Sequence, residues 1–356
     1  METIKKDIQA LNKEELQDFF KANGLPSFRG GQVYQWLWQK GVHDFDLMTN
    51  LSLEHRALLK THFEIKHINI DVQQRSNDGT IKNAVKLHDN LVVESVLIPT
   101  SKRTTACVSS QVGCSLDCTF CATAALKRMR NLNADEIYDQ VVAMDQQSKL
   151  YFQRPLSNIV FMGMGEPLMN YKNVLAAIEK ITDAEGLAMS PKRITLSTSV
   201  IPKMIQKMAD DQVKFGLAVS LHSARQDVRE KIMPFTTKFP LQDLKDALLH
   251  WHSKIKKQIT FEYVVWEGIN DQKEDIQALV KLCKQIPSKV NLIQYNPIDT
   301  ASIKQASPEV IEAYIQALTQ NRIKVTYRRS RGEDIAAACG QLANKIDTVG
   351  KGVRNA

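Results

Sequence analysis

Three cysteines lie within eight residues of this chain, in the segment Cys114-Ser115-Leu116-Asp117-Cys118-Thr119-Phe120-Cys121. Cysteine thiolates are the usual ligands of iron–sulfur clusters, and a four-iron cluster normally takes four of them. This loop offers three, so one iron of such a cluster would have no protein ligand and would be free to bind a small molecule. A zinc site would need a fourth Cys or His close by, and the next histidine downstream is His222. The spacing therefore favours an iron–sulfur cluster over zinc.

The composition is that of an ordinary globular protein. Its 356 residues are enough for one large α/β domain with a small appendage. No apolar run has transmembrane length and the start, Met1–Asp7, does not resemble a secretory signal, so we expect a cytoplasmic protein with no membrane partner. Three of the 6 cysteines lie in one loop, which argues against a disulfide framework. The formal net charge of +8 favours an anionic partner such as nucleic acid.

Residues 1–62 predict a small helical domain. Asn12 followed by Glu15 forms a capping box for a first helix, and Gly24 ends that helix. Two more helices are predicted, from about Arg29 to Lys40 and from Ser52 to His62. The domain is either a plain helical cap or an RNA-contacting module, because basic and aromatic residues alternate in the second helix. These residues are Phe28, Arg29, Tyr34, Trp36, Trp38 and Lys40.

Residues 63–106 predict an antiparallel β extension that leads into the cysteine loop. Strand-like runs alternate there with turn signals at Asn77-Asp78-Gly79 and His88-Asp89-Asn90. The run Leu91–Ile98 is rich in β-branched residues and contains a single carboxylate, Glu94. That carboxylate is either an outward-facing strand residue or a functional group.

Residues 107–345 predict a parallel α/β domain, followed by a short tail at 346–356. Strands alternate with helices, which implies a parallel sheet buried on both faces. Six strands are too few for a closed eight-stranded barrel, so we expect a partial (βα)6 barrel with its site at the carboxyl ends of the strands. The predicted strands are Asn158–Met162, Arg193–Ser197, Phe215–Leu221, Ile259–Val265, Val290–Tyr295 and Ile323–Tyr327; the helices between them include Tyr171–Thr182, Leu241–His252, Lys273–Lys284 and Pro308–Gln320.

Polar residues recur where the predicted strands end. Glycines there let the backbone approach a ligand closely, and a carboxylate such as Glu166 can pair with an ammonium group. Each residue alone is more often an ordinary turn residue, but together they predict a site for a nucleoside that carries an amino acid. The segments are Gly163-Met164-Gly165-Glu166-Pro167, Ser197-Thr198-Ser199, Ser220-Leu221-His222-Ser223 and Tyr295-Asn296-Pro297.

Several segments resemble one known family, the RlmN-type radical S-adenosylmethionine (SAM) RNA methyltransferases. The resemblance extends over nearly the whole chain, including the helical N-terminus. It implies an α/β fold, a partial (βα)6 radical SAM barrel with a small N-terminal helical domain and an antiparallel β extension. The similar segments are Cys107–Cys114, the three-cysteine loop, Gly163–Pro167, Ser220–His222 and Arg331–Leu342.

The resemblance implies methylation of C2 of one adenosine in the peptidyl-transferase region of 23S rRNA and of the adenosine 3′ of the anticodon in some tRNAs. Adenine C2 is electron-poor and cannot attack the methyl group of SAM directly, so a radical route is needed. A flavodoxin-like or other one-electron reductant would drive it, and we expect a monomer. The Cfr type, which methylates C8 of the same rRNA adenosine, is an alternative; Gly163–Pro167 and the N-terminal domain look more like the C2 type.

The resemblance also implies the cofactors and the residues that hold them. A [4Fe-4S] cluster would be held by Cys114, Cys118 and Cys121, and two molecules of SAM would be used per turnover. Glu166 and the adjacent backbone would hold the methionine ammonium group. The expected SAM-binding residues are Gly165, Glu166, Ser197, Ser220, Leu221, His222 and Asn296.

Three residues match the family's reactive groups. Cys339 would carry a methyl group from which a 5′-deoxyadenosyl radical takes hydrogen, and the resulting methylene radical would add to C2. Cys107 would then resolve the protein–RNA adduct through a transient disulfide, and Glu94 would accept the C2 proton. Without the resemblance each cysteine would be read as a buried apolar residue, as we read Cys283, and Cys107 also as a fourth cluster ligand.

Two other functions fit part of the pattern. A radical SAM enzyme with a non-RNA substrate, such as a glycyl-radical activating enzyme, shares the three-cysteine loop but does not need Cys107, Cys339 or Glu94. An RNA-binding protein with a structural zinc would need a fourth metal ligand. Iron with sulfide, or zinc, in anaerobically purified protein distinguishes the last possibility.

Basic runs flank the reactive groups and predict phosphate contacts. We expect that neutralising Arg328, Arg329 and Arg331 together weakens RNA binding and lowers its salt dependence, because fewer counterions are released, without removing the cluster. RNA-binding titrations at several salt concentrations measure this. Unchanged affinity and salt slope would contradict the assignment. The other two runs are Lys102-Arg103 and Lys127-Arg128-Met129-Arg130.

Overall fold

The structure, a computed structural model, describes residues 5–199, 201–299 and 301–344. Its N-terminal part contains the helices that the sequence predicts. The Asn12 side chain accepts the N–H of Glu15 and the Glu15 carboxylate accepts the N–H of Asn12, which confirms the capping box. The elements are β1 (Lys6–Asp7), α1 (Lys13–Ala22), α2 (Phe28–Trp38), α3 (Leu53–His62) and β2 (Phe63–Glu64), with β1 and β2 paired in parallel.

The aromatic residues of α2 divide between core and surface. Tyr34 and Trp38 are buried, and the Lys180 ammonium lies over both rings, 4.3 and 5.0 Å from their centroids. Phe28 is 55% exposed, and Trp36 is only partly buried. The two buried rings therefore serve the helical core, and among these four aromatics only Phe28 and Trp36 remain available to a partner.

Ten of the remaining strands form one sheet, and two short strands form a separate pair. Where the sequence predicts the bounds of a strand, the observed ends differ from them by at most two residues. The strands are β3 (Asn69–Arg75), β4 (Ile81–Lys86), β5 (Val92–Pro99), β6 (Thr104–Cys107), β7 (Gln111–Val112), β8 (Arg130–Asn131), β9 (Asn158–Phe161), β10 (Ile194–Thr198), β11 (Gly216–Ser220), β12 (Ile259–Val264), β13 (Ser288–Ile293) and β14 (Val325–Arg328).

The large sheet has the order β14-β13-β12-β11-β10-β9-β6-β5-β4-β3. Pairs from β6 to β14 are parallel, whereas those from β3 to β6 are antiparallel. The sequence predicted six parallel strands, and the described residues contain seven, because β6 pairs with both β5 and β9. The β extension and the barrel thus share one continuous sheet.

Helices follow the parallel strands, as the alternation predicts. All six residues of β12 are buried, as a strand covered on both faces requires. In the described part of the chain no helix combines the length and the apolar character needed to cross a bilayer. The helices are α4 (Ala134–Phe152), α5 (Tyr171–Thr182), α6 (Pro202–Asp210), α7 (Gln226–Ile232), α8 (Leu241–Ile255), α9 (Lys273–Gln285) and α10 (Pro308–Gln320).

The predicted C-terminal boundary lies beyond Asn344, the last described residue. Residue 345 and the predicted tail, 346–356, lie outside the described residues. The segment before them, 332–344, follows β14 and returns to the β extension. The Ser76 hydroxyl donates to Asp334 Oδ1 at 2.6 Å, and the Gly332 N–H donates to Asp78 Oδ2 at 3.1 Å. The turn between β3 and β4 therefore anchors the segment that carries Cys339.

Two adjacent glycines of α2 give a matched test of helix packing. A Cβ at Gly30 would lie 2.6 Å from the Gln17 Cα of α1, whereas one at Gly31 would lie 3.6 Å from the flexible Lys13 Cε. We expect Gly30→Ala to lower the free energy of unfolding by about 1–3 kcal/mol through overpacking. Gly31→Ala should raise it by about 0.5–1 kcal/mol, because alanine favours the helix. Thermal unfolding of the two variants measures this, and equal melting temperatures would contradict the packing.

Candidate active site

One cavity opens at the carboxyl ends of the parallel strands. It holds about 990 Å³ of space, its open mouth included. Parallel strands point the same way, so residues that follow different strands gather at one edge of the sheet. The predicted residues that line the cavity are Cys114, Cys118, Cys121, Gly165, Glu166, Ser197, Ser220, His222, Asn296 and Cys339.

Several contacts hold the three-cysteine loop in place, among them the hydrogen bond from the Phe235 N–H to Asp117 Oδ1 at 2.8 Å. Thr119 donates from its backbone N–H and from its hydroxyl to the Ile232 carbonyl, at 3.0 and 3.2 Å. The Ala122 N–H donates to the Gly340 carbonyl at 2.7 Å, which joins the loop to the segment that carries Cys339. The loop therefore keeps its three thiols on the cavity wall through contacts with α7 and with the C-terminal segment.

Burial raises the pKa of all three thiols, to about 11 for Cys114 and well above the usual value for Cys118; Cys121 is also raised. The thiols are therefore protonated at neutral pH without a metal, and metal binding would release their protons. Among the described residues, no three His, Cys, Asp or Glu side chains are placed to share one metal ion.

Gly165 and Glu166 form a fixed acceptor on the cavity wall. Gly165 has φ +91°, and a Cβ there would come within 2.7 Å of Gln111 Cγ. Glu166 Oε1 accepts the Leu168 N–H at 2.9 Å and Oε2 accepts the Ser199 N–H at 2.8 Å. Burial raises the pKa of Glu166, while the bonds from Ser199 and Leu168 oppose the shift. The Thr198 side chain also hydrogen-bonds to this carboxylate, so three of its four acceptor sites are taken and one is left for an ammonium group.

His222 is held as a neutral ring. Its backbone has φ +55°, and its Nδ1 accepts the Val264 N–H at 3.2 Å. Burial, and then the positive charge of Arg229, lowers the pKa of His222 to about 3. With Nδ1 accepting, the proton of the neutral ring lies on Nε2, which leaves one donor for a ligand. Phe120 and Trp266 pack against the ring, with centroids at 4.7 and 5.6 Å.

Asn296 and Leu221, both expected to bind SAM, differ in their position relative to the cavity. The Asn296 Nδ2 donates to the Cys339 carbonyl at 3.1 Å, and its buried Oδ1 has no hydrogen-bond partner among the described residues. That open acceptor on the cavity wall fits a ligand with a polar hydrogen. Leu221 is fully buried in the core and does not line the cavity. Its N–H donates to the Glu262 carbonyl at 3.0 Å and its carbonyl accepts from Arg229 Nε at 3.0 Å.

The structure brings Cys107 and Cys339 together. Both line a second, smaller pocket that adjoins the cavity, and Arg328 also lines it. The Arg328 Nη2 lies 3.7 Å from Cys339 Sγ. Burial, and then the nearby Cys339, raises the pKa of Cys107 to about 12. Two thiols 232 positions apart in sequence thus share one pocket next to the three-cysteine loop.

Glu94 lies under the C-terminal segment and is not among the residues that line the cavity. Its side chain is fully buried. Its Oε2 accepts the N–H groups of Ala343 and Asn344, at 2.8 and 3.2 Å, and its Oε1 lies 3.4 Å from Lys82 Nζ. Lys82 Nζ also donates to the Ala336 carbonyl at 3.4 Å. In this arrangement Glu94 anchors the segment, so the segment has to move before Glu94 can reach a substrate.

The three arginines after β13 differ in their surroundings. Arg328 is half-buried beside Cys339, and Arg331 Nη1 lies 3.5 Å from Asp78 Oδ2. Arg329 is exposed. Of the three, Arg329 is therefore the residue most available to a phosphate, and neutralising Arg328 would also disturb the pocket of the two thiols.

Sequence reasoning missed two buried charged residues near the cavity. Glu262 lines the cavity, and its Oε1 accepts from Asn291 Nδ2 at 3.0 Å. A carboxylate inside an apolar strand could have drawn attention to it, as it did to Glu94. Arg229 is fully buried on α7. No sequence signal marked it, because an arginine on a helix is usually solvated.

Comparisons with known proteins agree with this geometry. Residues 6–65 match the family described as "Ribosomal RNA large subunit methyltransferase N-terminal domain", and residues 108–283 match the "Radical SAM superfamily". The "Probable dual-specificity RNA methyltransferase RlmN" of Christiangramia forsetii is 68% identical over 341 residues, which cover 96% of this chain and 97% of that protein. The chain belongs to the RlmN family of radical SAM methyltransferases.

A more distant member of the RlmN family and a solved structure support the same family assignment. The "Dual-specificity RNA methyltransferase RlmN" of Geotalea uraniireducens is 41% identical, covering 96% of this chain and 98% of that protein. The crystal structure of a radical SAM methyltransferase from Sphaerobacter thermophilus has a TM-score of 0.89 at 36% identity, covering 95% of this chain and 99% of that one. The predicted fold class and the predicted family are confirmed. Membership in the radical SAM superfamily implies a [4Fe-4S] cluster and SAM as cofactors.

The depressed pKa of His222 predicts how stability depends on pH. The unfolded chain binds a proton at this ring near pH 6.5, whereas the folded chain binds it only near pH 3. The stabilisation is complete above pH 6.5 and is lost at about 1.4 kcal/mol per pH unit as the pH falls toward 3. From pH 7 to pH 5 the protein should therefore lose about 2 kcal/mol more than His222→Asn, which does not titrate. Denaturant unfolding of the parent protein and of His222→Asn at pH 7 and at pH 5 measures this. An equal loss of unfolding free energy in the two proteins would contradict it.

Proposed function

We propose that this protein methylates C2 of an adenosine in the peptidyl-transferase region of 23S rRNA and of the adenosine 3′ of the anticodon in tRNAs, by a radical route. The observation that carries the proposal is that Cys107 and Cys339 share a pocket beside the three-cysteine loop. A radical SAM enzyme that only abstracts hydrogen from its substrate needs no such pair. The names of the RlmN relatives support the RNA substrates.

The residues fit a [4Fe-4S] cluster and SAM. Cys114, Cys118 and Cys121 would hold the cluster, because their thiols share one wall and thiolates are its preferred ligands. Together the cluster and SAM supply a carbon-centred radical after the transfer of one electron. A flavodoxin-like or other one-electron reductant would donate that electron. Two molecules of SAM would be consumed per turnover, one as methyl donor and one as radical source.

SAM would occupy the remaining wall of the cavity. Glu166 presents fixed carboxylate oxygens for the methionine ammonium group, and Gly165 leaves the backbone accessible beside it. The Nε2–H of His222 and the open Oδ1 of Asn296 offer one donor and one acceptor. The other SAM-binding residues would be Ser197 and Ser220, which line the cavity, and Leu221, which follows Ser220 in the chain.

Cys339 would act first as nucleophile and then as carrier. Its sulfur takes the methyl group of SAM, with S-adenosylhomocysteine as the leaving group. The Arg328 guanidinium, 3.7 Å from that sulfur, places a positive charge beside it. One hydrogen atom of that methyl group would pass to the 5′-deoxyadenosyl radical, which gives 5′-deoxyadenosine. The methylene carbon would then bond to adenine C2, so that protein and RNA are covalently joined, and the unpaired electron of this adduct would pass to the oxidised form of the one-electron partner.

Glu94 and Cys107 would release the product. Glu94 takes the C2 proton after the C-terminal segment lifts from it. The Cys107 sulfur then attacks the Cys339 sulfur, which forms a disulfide and breaks the bond between Cys339 and the methylene carbon. The electron pair of that bond stays with the carbon, which a proton converts to the methyl group. A thiol reductant would restore the two cysteines.

The proposal also covers the roles of the three regions of the chain, the oligomeric state and the cellular location. Residues 1–62 would contact RNA, residues 63–106 would anchor the segment of Cys339, and residues 107–345 would hold the catalytic core. The protein would act as a monomer in the cytoplasm, where rRNA and tRNA are made.

A matched pair of cysteine variants tests the proposal. We expect Cys339→Ala to abolish methyl transfer while reductive cleavage of SAM persists, because only the methyl carrier is lost. Cys283→Ala removes another buried thiol, on α9, and should leave methyl transfer unchanged. Anaerobic assays of methylated adenosine and of 5′-deoxyadenosine measure both activities. Methyl transfer by Cys339→Ala would contradict the carrier role.

Turnover with deuterated-methyl SAM follows the methyl group itself. We expect the isotope on Cys339 first and at adenosine C2 afterwards, as mass mapping of the peptide and of the nucleoside would show. Isotope at C8 would assign the Cfr-type reaction instead. Labelled adenosine without any labelled Cys339 would overturn the proposed route.

A further inference from the structure

Arg229 carries a charge that the described residues leave unbalanced. The side chain is fully buried on α7. Its Nε donates to the Leu221 carbonyl at 3.0 Å and its Nη2 to the Ser220 carbonyl at 3.5 Å. Its Nη1 has no hydrogen-bond partner, and no carboxylate within the described ranges forms an ion pair with it. A buried charge without a partner is strongly destabilising, so a compensating negative charge is to be expected nearby.

The turn that carries Arg229 packs against Cys118. Residues Arg229 to Met233 form one turn, in which the Met233 N–H donates to the Arg229 carbonyl at 2.7 Å. Ile232 and Met233 pack with Cys118 in one apolar cluster, and the Ile232 carbonyl accepts both hydrogen bonds from Thr119. The second and central cysteine of the loop therefore rests on the turn that carries Arg229.

Arg229 remains charged in this setting. Burial lowers the pKa of Arg229 to about 10, and the negative charge of a Cys118 thiolate acts in the opposite direction. The guanidinium is therefore protonated at neutral pH. It does not line the cavity, so it lies behind the wall that Ser220 and His222 form and would not touch a ligand there.

We propose that Arg229 is a fixed counter-charge that raises the reduction potential of the iron–sulfur cluster. A [4Fe-4S] cluster with three thiolates carries net negative charge, and reduction makes it more negative. A buried positive charge therefore stabilises the reduced form more than the oxidised form, and charge and hydrogen bonding around a cluster set its potential. The inference rests on the proposed function, since it needs Cys118 as a cluster ligand.

A purely structural role would leave the potential unchanged. Arg229 also holds the carbonyls of Ser220 and Leu221, so its loss could displace the strand end that faces SAM. Such a displacement would alter SAM affinity. It would not alter the potential of the cluster measured without SAM, so that measurement separates the two roles.

The test compares four variants of the full chain, each purified anaerobically with its cluster. Arg229→Met and Arg229→Gln remove the charge, and Gln keeps a hydrogen-bond donor. Arg229→Lys keeps the charge, and Lys231→Met removes an exposed charge from the same helix. Iron and acid-labile sulfide are measured first. The ratio of reduced to oxidised cluster is then measured by electron paramagnetic resonance at a series of fixed potentials, without SAM.

We expect both uncharged variants to lower that ratio about tenfold at a given potential, which corresponds to about 59 mV for a one-electron couple. Arg229→Lys and Lys231→Met should stay within about threefold of the parent protein. A parent-like ratio in Arg229→Met or Arg229→Gln would overturn the proposal. If neither uncharged variant assembles a cluster, Arg229→Lys decides, since a tenfold fall there would overturn it. Absence of iron and sulfide from the parent protein would refute the proposed function instead.

Discussion

The three-cysteine loop makes two backbone contacts on which the rest of the site depends. Thr119 binds the end of α7, and Ala122 binds Gly340 in the C-terminal segment. Both partners come from distant parts of the sequence, so the loop takes its position only when the barrel is complete. Cys339 is next to Gly340 in the chain. The contact between Ala122 and Gly340 therefore fixes the distance between the proposed methyl carrier and the three-cysteine loop.

The continuous sheet explains why the β extension matters. Because β6 joins the extension to the barrel, Glu94 on β5 and Cys107 at the end of β6 lie in neighbouring strands, where Val96 pairs with Cys107. The C-terminal segment closes over both. Glu94 binds it at Ala343 and Asn344, and the turn between β3 and β4 binds it at Gly332 and Asp334. The β extension thus holds the C-terminal segment, which carries Cys339, in place.

Sequence reasoning recovered the features that are local. The cysteine spacing, the capping box at Asn12 and the strand–helix alternation each depend on residues that are near one another in the chain. It missed β6 as a barrel strand, because four residues that continue an antiparallel element carry no sign of a parallel neighbour.

Features that depend on the packing of distant segments could not be predicted from one sequence. Arg328 is half-buried, and Arg229 Nη1 has no hydrogen-bond partner in the described part of the chain; both arise only where strands, helices and the C-terminal segment meet. The meeting of Cys107 and Cys339 came from family resemblance alone, since spacing cannot place two cysteines that are far apart in the chain. The division of the α2 aromatics into buried and exposed likewise follows from what packs against the helix.

We propose that Cys114, Cys118 and Cys121 hold a four-iron cluster whose remaining iron is free for SAM. Mössbauer spectroscopy of anaerobically purified protein enriched in iron-57 tests this arrangement. We expect a [4Fe-4S] spectrum in which one iron of each four changes its parameters when SAM is added, while the other three do not. A protein with zinc in place of iron, or a four-iron spectrum that SAM leaves unchanged, would contradict it.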